Sequence, residues 1–222
     1  MELNADFSKR VAVHAADLPW VPSPTPGVDR RMLDRIGDEV ARATSIVRYA
    51  PNSTFPTHTH GGGEEFLVLE GVFEDESGAY PVGSYVRNPP QSRHTPGSRS
   101  GCMIFVKLWQ FDPGDQEFVR LDTKILPYQP IVGTPGVSSK TLFMRGNETV
   151  RMQRWAPHAH VRWVDIAGGA ELLVLDGDFE ESGERFRRLS WLRLPSGATL
   201  DAVAGAQGTE IWVKTGHLPA SR

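Results

Sequence analysis

Val68-Leu69-Glu70-Gly71-Val72-Phe73-Glu74 is read again, 106 positions later, as Val174-Leu175-Asp176-Gly177-Asp178-Phe179-Glu180. The same offset pairs Arg48, Ala50 and Pro51 with Arg154, Ala156 and Pro157, and Ser84, Arg87 and Pro89 with Ser190, Arg193 and Pro195. With small insertions, Thr25-Pro26-Gly27-Val28 matches Thr134-Pro135-Gly136-Val137, and Val106-Lys107 matches Val213-Lys214. Patches matching in one order along the chain mark an internal duplication. The copies span about 25–132 and 134–222 behind an N-terminal arm, so the expected domains are 1–132, arm included, and 133–222.

The duplication also decides what each copy is made of. Met32, Ile36 and Val40 have helical spacing, but the matching stretch of the second copy contains Arg145-Gly146-Asn147-Glu148, a hairpin turn. Gly37-Asp38 then plays the same part in the first copy, and strands are expected in both. Phe66–Phe73, Gly83–Arg87 and Met103–Phe111 read as further short strands, the first ended by an acidic turn over Glu74–Gly78. With 22 Gly and 17 Pro supplying turns and almost no helical signal, the pattern predicts an all-β sandwich or barrel.

Composition narrows the function classes. Of 222 residues, 39% are hydrophobic and 23% charged, as in a soluble globular protein. Twenty-four Lys and Arg against 27 Asp and Glu give a net charge of −3, no footprint for a phosphate backbone, so no nucleic-acid partner is expected. The single cysteine, Cys102, excludes an internal disulfide and a CxxC knuckle. No apolar leader and no run of about 20 apolar residues is present, so no membrane partner and a cytoplasmic location are expected.

The chemistry concentrates in Pro56-Thr57-His58-Thr59-His60-Gly61-Gly62-Gly63-Glu64-Glu65. On a strand, His58 and His60 project to one face. Three glycines allow a sharp turn, and Glu64 returns a carboxylate to the two imidazoles. His94, the only histidine between His60 and His158, completes the set. Two or three imidazoles with one carboxylate suit a first-row divalent metal, closing a tetrahedral zinc site or leaving open positions on octahedral iron, manganese or nickel.

His58-x-His60-x3-Glu64-x6-Gly71 resembles the first cupin motif, and Pro81-x-Gly83 with His94 resembles the second. The second match is looser, since His94 stands eleven positions after Gly83 where the family leaves two or three residues. Gly63-Glu64-Glu65-Phe66-Leu67-Val68-Leu69-Glu70-Gly71, Asp75-Glu76-Ser77-Gly78, Arg87-Asn88-Pro89-Pro90 and Gly101-Cys102 before Phe105-Val106-Lys107 are similar to the ChrR-type group. The resemblance covers nearly the whole chain. It implies two tandem jelly-roll β-barrel units, a bicupin, with one divalent transition metal per chain on His58, His60, Glu64 and His94, zinc first and iron, manganese or nickel as alternatives. At the 106 offset these four become Val164, Ile166, Ala170 and Leu200, so the second copy is expected to fill its own core and hold no metal. Pro157-His158-Ala159-His160 is out of register and lacks a carboxylate four residues on.

The ChrR name further implies an anti-sigma factor responding to oxidative stress. Sigma-factor binding in that family is attributed to a separate helical zinc domain with an H-x3-C-x2-C pattern, which this sequence lacks. The leading expectation is a metal-binding regulatory module. The alternatives are an iron- or manganese-dependent dioxygenase acting on a small ketone or aromatic substrate, and a binder of a small molecule in the barrel mouth. Glu65 and Arg93 are the neighbours that could assist catalysis. Tyr85, Arg93, Phe105 and Trp109 could line the pocket, with core packing the stronger expectation. His14, His217 and Cys102 read as structural or solvated. A fused pair can build the twofold cupin dimer within one chain, so a monomeric pseudo-dimer or a homodimer is expected.

Overall fold

The computed structural model describes residues 1–218, so the last four positions of the second expected domain lie outside the described residues. Two compact units are present. Met1–Ala5 and Leu18–Ile125 form the first, and Asp6–Asp17 with the chain from Leu126 onward form the second. Each is an antiparallel jelly roll, and among the described residues the only helix is the short 3₁₀ turn Ala15–Asp17.

Seven strands follow one path in each unit. In the first the order is Glu2–Leu3, Val28–Gly37, Ala41–Tyr49, Cys102–Leu108, Glu64–Asp75, Ser84–Asn88 and Val119–Asp122. In the second it is Gln129–Pro130, Val137–Arg145, Glu148–Trp155, Leu200–Thr215, Ala170–Glu181, Ser190–Leu194 and Val11–His14. The expected division differs here: Met1–Ala5 stays with the first copy, but Asp6–Asp17 of the arm joins the second. Val11–His14 pairs along Ser190–Leu194 in the register Val11↔Arg193, the place that Val119–Asp122 takes on Ser84–Asn88. An unpaired sheet edge is satisfied in one unit by the arm and in the other by the segment that follows the barrel.

The two hairpins form where the turn residues place them. Val28–Gly37 pairs with Ala41–Tyr49, and Val137–Arg145 pairs with Glu148–Trp155 around Gly146-Asn147. A second shared device lies at the motif glycine. Gly71 and Gly177 both have φ +67, next to a register shift in which Leu69 and Leu175 are the extra residues. A Cβ there would run into the carbonyl of Gly101 or Gly208, so the bulge requires glycine.

Alternation sorts the long strands into two faces. Phe66, Val68, Val86, Ile104 and Val106 join Val28, Val47, Tyr49 and Phe73 in the first core. Leu172, Val174, Leu192, Ile211 and Val213 join Trp155, Phe179 and Phe186 in the second. The opposite face is also buried in each sheet, which is why these strands read as continuous apolar runs rather than alternating ones.

Candidate metal centre

Strand pairing brings the four sequence-selected residues together. His58–Thr59 pairs antiparallel with Arg93–His94 in the register His58↔His94, so the histidine least secured by spacing is secured by the ladder. His60 is anchored through its backbone: its N–H donates to the Ser92 carbonyl (2.9 Å) and its own carbonyl accepts from Gln91 (2.8 Å). Glu64 opens the strand Glu64–Asp75 and shares a face with Phe66 and Val68.

The glycine turn between them serves two purposes. Gly63 needs its freedom for φ +78. Gly61 and Gly62 are required for another reason: a Cβ would lie 2.7 Å and 2.5 Å from the indole of Trp109, which packs flat on this turn. Trp109 therefore closes the turn, and its N–H donates to the Gly63 carbonyl (3.0 Å).

One ligand atom from each of His58, His60, Glu64 and His94 falls within 4.8 Å of all the others. Glu64 Oε2 lies 3.7 Å from His60 Nε2 and 3.5 Å from His94 Nε2. The three rings are mutually 4.6–5.2 Å apart between centroids. His60, Glu64 and His94 are buried, while His58 is half-buried at the open side beside Phe55.

Neighbouring groups aim these atoms. The Pro56 carbonyl can only accept, so His58 carries its proton on Nδ1 (2.9 Å) and turns the Nε2 lone pair toward the cluster. His94 Nδ1 donates to Asp75 Oδ2 (3.1 Å), which leaves Nε2 facing Glu64. Asn88 Nδ2 donates to Glu64 Oε2 (3.0 Å), and Arg120 in turn holds Asn88 Oδ1 (2.5 Å). Such outer partners fix ring orientation and tautomer at metal sites. Burial pushes the His60 imidazole below its ordinary value, against the upward pull of Glu64. Burial opposes the Glu64 carboxylate as well, yet His60, His94 and Asn88 together keep its carboxyl below the usual range. At His94 burial is outweighed by Asp75 and Glu64, and the imidazole is raised.

The fit to a metal rests on two orphans. His60 Nε2 and His94 Nε2 are fully buried and have no hydrogen-bond partner. A buried polar atom without a partner costs about 1–3 kcal/mol, and two converging on one carboxylate form a cradle that a cation would satisfy. This cluster could bind a metal ion.

The family model described as the ChrR Cupin-like domain matches residues 8–112 and, a second time, 116–219. The chain belongs to the ChrR Cupin-like family. Among solved structures it is similar in fold to a Nostoc punctiforme protein provisionally described as a dioxygenase, at 18% identity with TM-score 0.79 over 96% of this chain and 84% of that one. It is similar also to the Escherichia coli pirin YhhW in complex with nickel(II) (13%, TM-score 0.72, 96% and 100%) and to a cupin 2 conserved barrel protein from Leptotrichia buccalis (13%, TM-score 0.60, 92% and 95%). At such identities the likeness is one of fold alone. No curated protein matches the chain.

In the second cupin unit the four positions are replaced, with one correction to the expected mapping. Ile166, Ala170 and Leu200 lie in the core cluster, as anticipated. Val164 does not: it is 62% exposed. The residue opposite Leu200 in the ladder is Trp163, whereas His58 is opposite His94, so a one-residue insertion ending in Asp165 (φ +49) displaces Val164 outward. Trp163 stands in the His58 position and packs edge-on against Trp155. The second HxH is no cluster either: exposed His160 pairs with Asp201 (2.6 Å).

The acidic turn expected to be solvated is partly committed. Asp75 holds His94, Glu74 takes three hydrogen bonds from Arg99, and Glu76 accepts from the Thr95 N–H. Of the proposed helpers, Glu65 faces away from the cluster and accepts from Tyr85 (2.7 Å) and Arg87 (3.1 Å), while Arg93 is exposed. Glu171, Trp191 and Arg193 occupy the same three positions in the cupin unit without ligands, where Trp191 donates to Glu171 (3.1 Å). That arrangement belongs to the fold, not to metal chemistry. Tyr85 and Phe105 share this second face and do not line the cluster. His14 bridges Ser190 and Glu184, and His217 meets Glu171 (2.9 Å), both as structural groups. Burial raises the Cys102 thiol to about 11, which removes it from thiolate chemistry. Sequence reading missed Asp75, Asn88 and Arg120, whose types carry no spacing signal.

Proposed function

We propose that the first cupin unit holds one divalent transition metal on His58, His60, Glu64 and His94, zinc before iron, manganese or nickel. On this reading the chain is a ChrR-type regulatory module responding to oxidative stress. The observation that carries the metal is the pair of buried, unpartnered Nε2 atoms facing Glu64. Four protein ligands meet zinc's tetrahedral preference. The neighbouring Glu65 and Arg87 are engaged on the opposite face, with Tyr85 and Asp115. When bound, the metal supplies Lewis acidity and a fixed positive charge. The chain's own part is orientation: Asp75 and Pro56 fix the tautomers of His94 and His58, and Asn88 fixes Glu64. This reading places the protein in the cytoplasm and assigns it no sigma-factor contact, since the H-x3-C-x2-C pattern to which that binding is attributed is missing from the sequence.

The second reading is an iron- or manganese-dependent dioxygenase for a small ketone or aromatic molecule. It is favoured by the half-buried His58, which leaves one side of the cluster open, and by the dioxygenase description of the Nostoc relative. Elemental analysis of the purified protein separates the two. Stoichiometric zinc, with no oxygen consumed across a panel of β-diketones and dihydroxyphenyl ketones, supports the regulator. Bound iron with substrate-dependent oxygen uptake replaces it with the enzyme. No metal at all overturns both.

A further inference from the structure

The second unit lost its ligands without closing its barrel. A cavity of about 380 Å³ remains at the end where Trp163 and Ile166 replace His58 and His60. That volume lies within the range of small-molecule pockets. Its walls include Trp163, Val164, Ile166 and Val213, and its single ionisable group is Arg151.

Arg151 and Gln153 reach the interior by register. They alternate with Val150 and Met152 on Glu148–Trp155 and share a face with the core residue Trp155. Arg151 is opposite Val213 in the ladder, as Ser45 is opposite Val106 in the first unit. The first barrel therefore carries Ser45 and Val47 where the second carries a guanidinium and an amide. The second barrel has moved its polar interior groups from the HxH strand to this one.

Both groups are set up as donors. Arg151 is half-buried and, among the described residues, makes no ion pair or hydrogen bond. The Trp155 indole can only donate, and it donates to Gln153 Oε1 (2.9 Å), which turns the Gln153 NH₂ away as a donor. A cation held in a cavity without a counter-charge is costly to the empty fold, and carboxylates are the partners that a guanidinium fork matches. We infer that the second barrel is a binding site for a small organic carboxylate, its head on Arg151 and Gln153 and its apolar body against Trp163, Ile166 and Val213. The adjoining cavity of about 420 Å³ shares Arg151, and its only other ionisable lining residue is Lys140, so no acidic side chain opposes an anion on either side.

Titration calorimetry of the full chain with benzoate tests this, with neutral, isosteric benzamide as the control. Benzoate is expected to bind saturably at one per chain, with benzamide at least about tenfold weaker. Arg151→Gln is expected to weaken benzoate at least about tenfold, since a charge-assisted bond is replaced by a neutral one. Metal content should stay unchanged, and the melting temperature of the ligand-free protein should not fall. Stripping the metal with EDTA should leave benzoate affinity as it was, which keeps this inference separate from the metal centre. If Arg151→Gln does not fold, the ¹⁹F resonance of Trp163 in 5-fluorotryptophan-labelled protein gives the second reading, with a saturable shift expected. The inference is overturned by absent saturable binding, by unchanged affinity in Arg151→Gln, by affinity that vanishes with EDTA, or by a Trp163 resonance that stays fixed as benzoate is added.

Discussion

The two units share one strand path, one bulge and one buried Glu–Arg–aromatic arrangement, yet their interiors differ. Among the described residues, ten buried side chains form the apolar cluster of the first barrel and sixteen that of the second. Three of the additional members are Ile166, Ala170 and Leu200, at the positions of His60, Glu64 and His94. The copy with the candidate metal centre has given up apolar packing to hold polar ligands. The comparison teaches that the jelly roll closes its core with apolar side chains at three of these positions, so packing does not require the polar set of the first unit.

The largest expected effect breaks that symmetry outright. His60→Ala should reduce bound metal from about one per chain to near zero by elemental analysis. Ile166→Ala should leave metal content untouched while costing the second unit roughly 2–5 kcal/mol in denaturant unfolding. Metal retained in His60→Ala would erase the distinction between the barrels. Next, chelation should remove a ligand-linked contribution of about 4 kcal/mol if the free metal stands at a thousand times its Kd. By hydrogen exchange, protection should fall in Glu64–Asp75 and Cys102–Leu108, with Ala170–Glu181 unaffected. A third test is Asp75→Asn, expected to weaken metal binding about 10–100-fold in a competition titration by freeing the His94 ring.

Acidification should give a graded effect. A metal-binding imidazole must be neutral, and the His94 imidazole is raised above its ordinary value of 6.5 in the folded chain. Metal affinity is therefore expected to fall progressively as the pH is lowered, measured by the same competition titration repeated across pH. An affinity that does not change with pH would contradict this. The smallest effect belongs to His160→Ala, which should leave metal content unchanged and stability within about 0.5 kcal/mol, because His160–Asp201 is an exposed pair.

Much of this was legible in the sequence because duplication doubles every signal. The turn at Gly146-Asn147 identifies the strands around Gly37, and HxH with a spaced Glu identifies three candidate ligands by parity and spacing. His94 was legible as a residue but not as a neighbour, since the pairing that sets it opposite His58 follows from a loop of no fixed length. Asp75 and Asn88 stayed hidden because acids and amides near turns are common, and only the fold shows which of them meets a ligand. The Val164 assignment failed for a simple reason: a constant offset cannot register a single inserted residue between two short strands. The exchange of the arm was invisible as well, because Val11–His14 has no repeat partner at the offset that defines the copies.

That exchanged strand has a consequence for how the chain is made. Val11–His14 is synthesised well before its partner Ser190–Leu194, with His14 and Ser190 176 positions apart. The edge strand of the second barrel must wait while the residues between the two are produced, and closing contacts of such separation slows folding. Deleting Asp6–Asp17 would thus injure the second barrel, whereas the first, apart from the edge strand Glu2–Leu3, is built from consecutive chain that ends at Val119–Asp122.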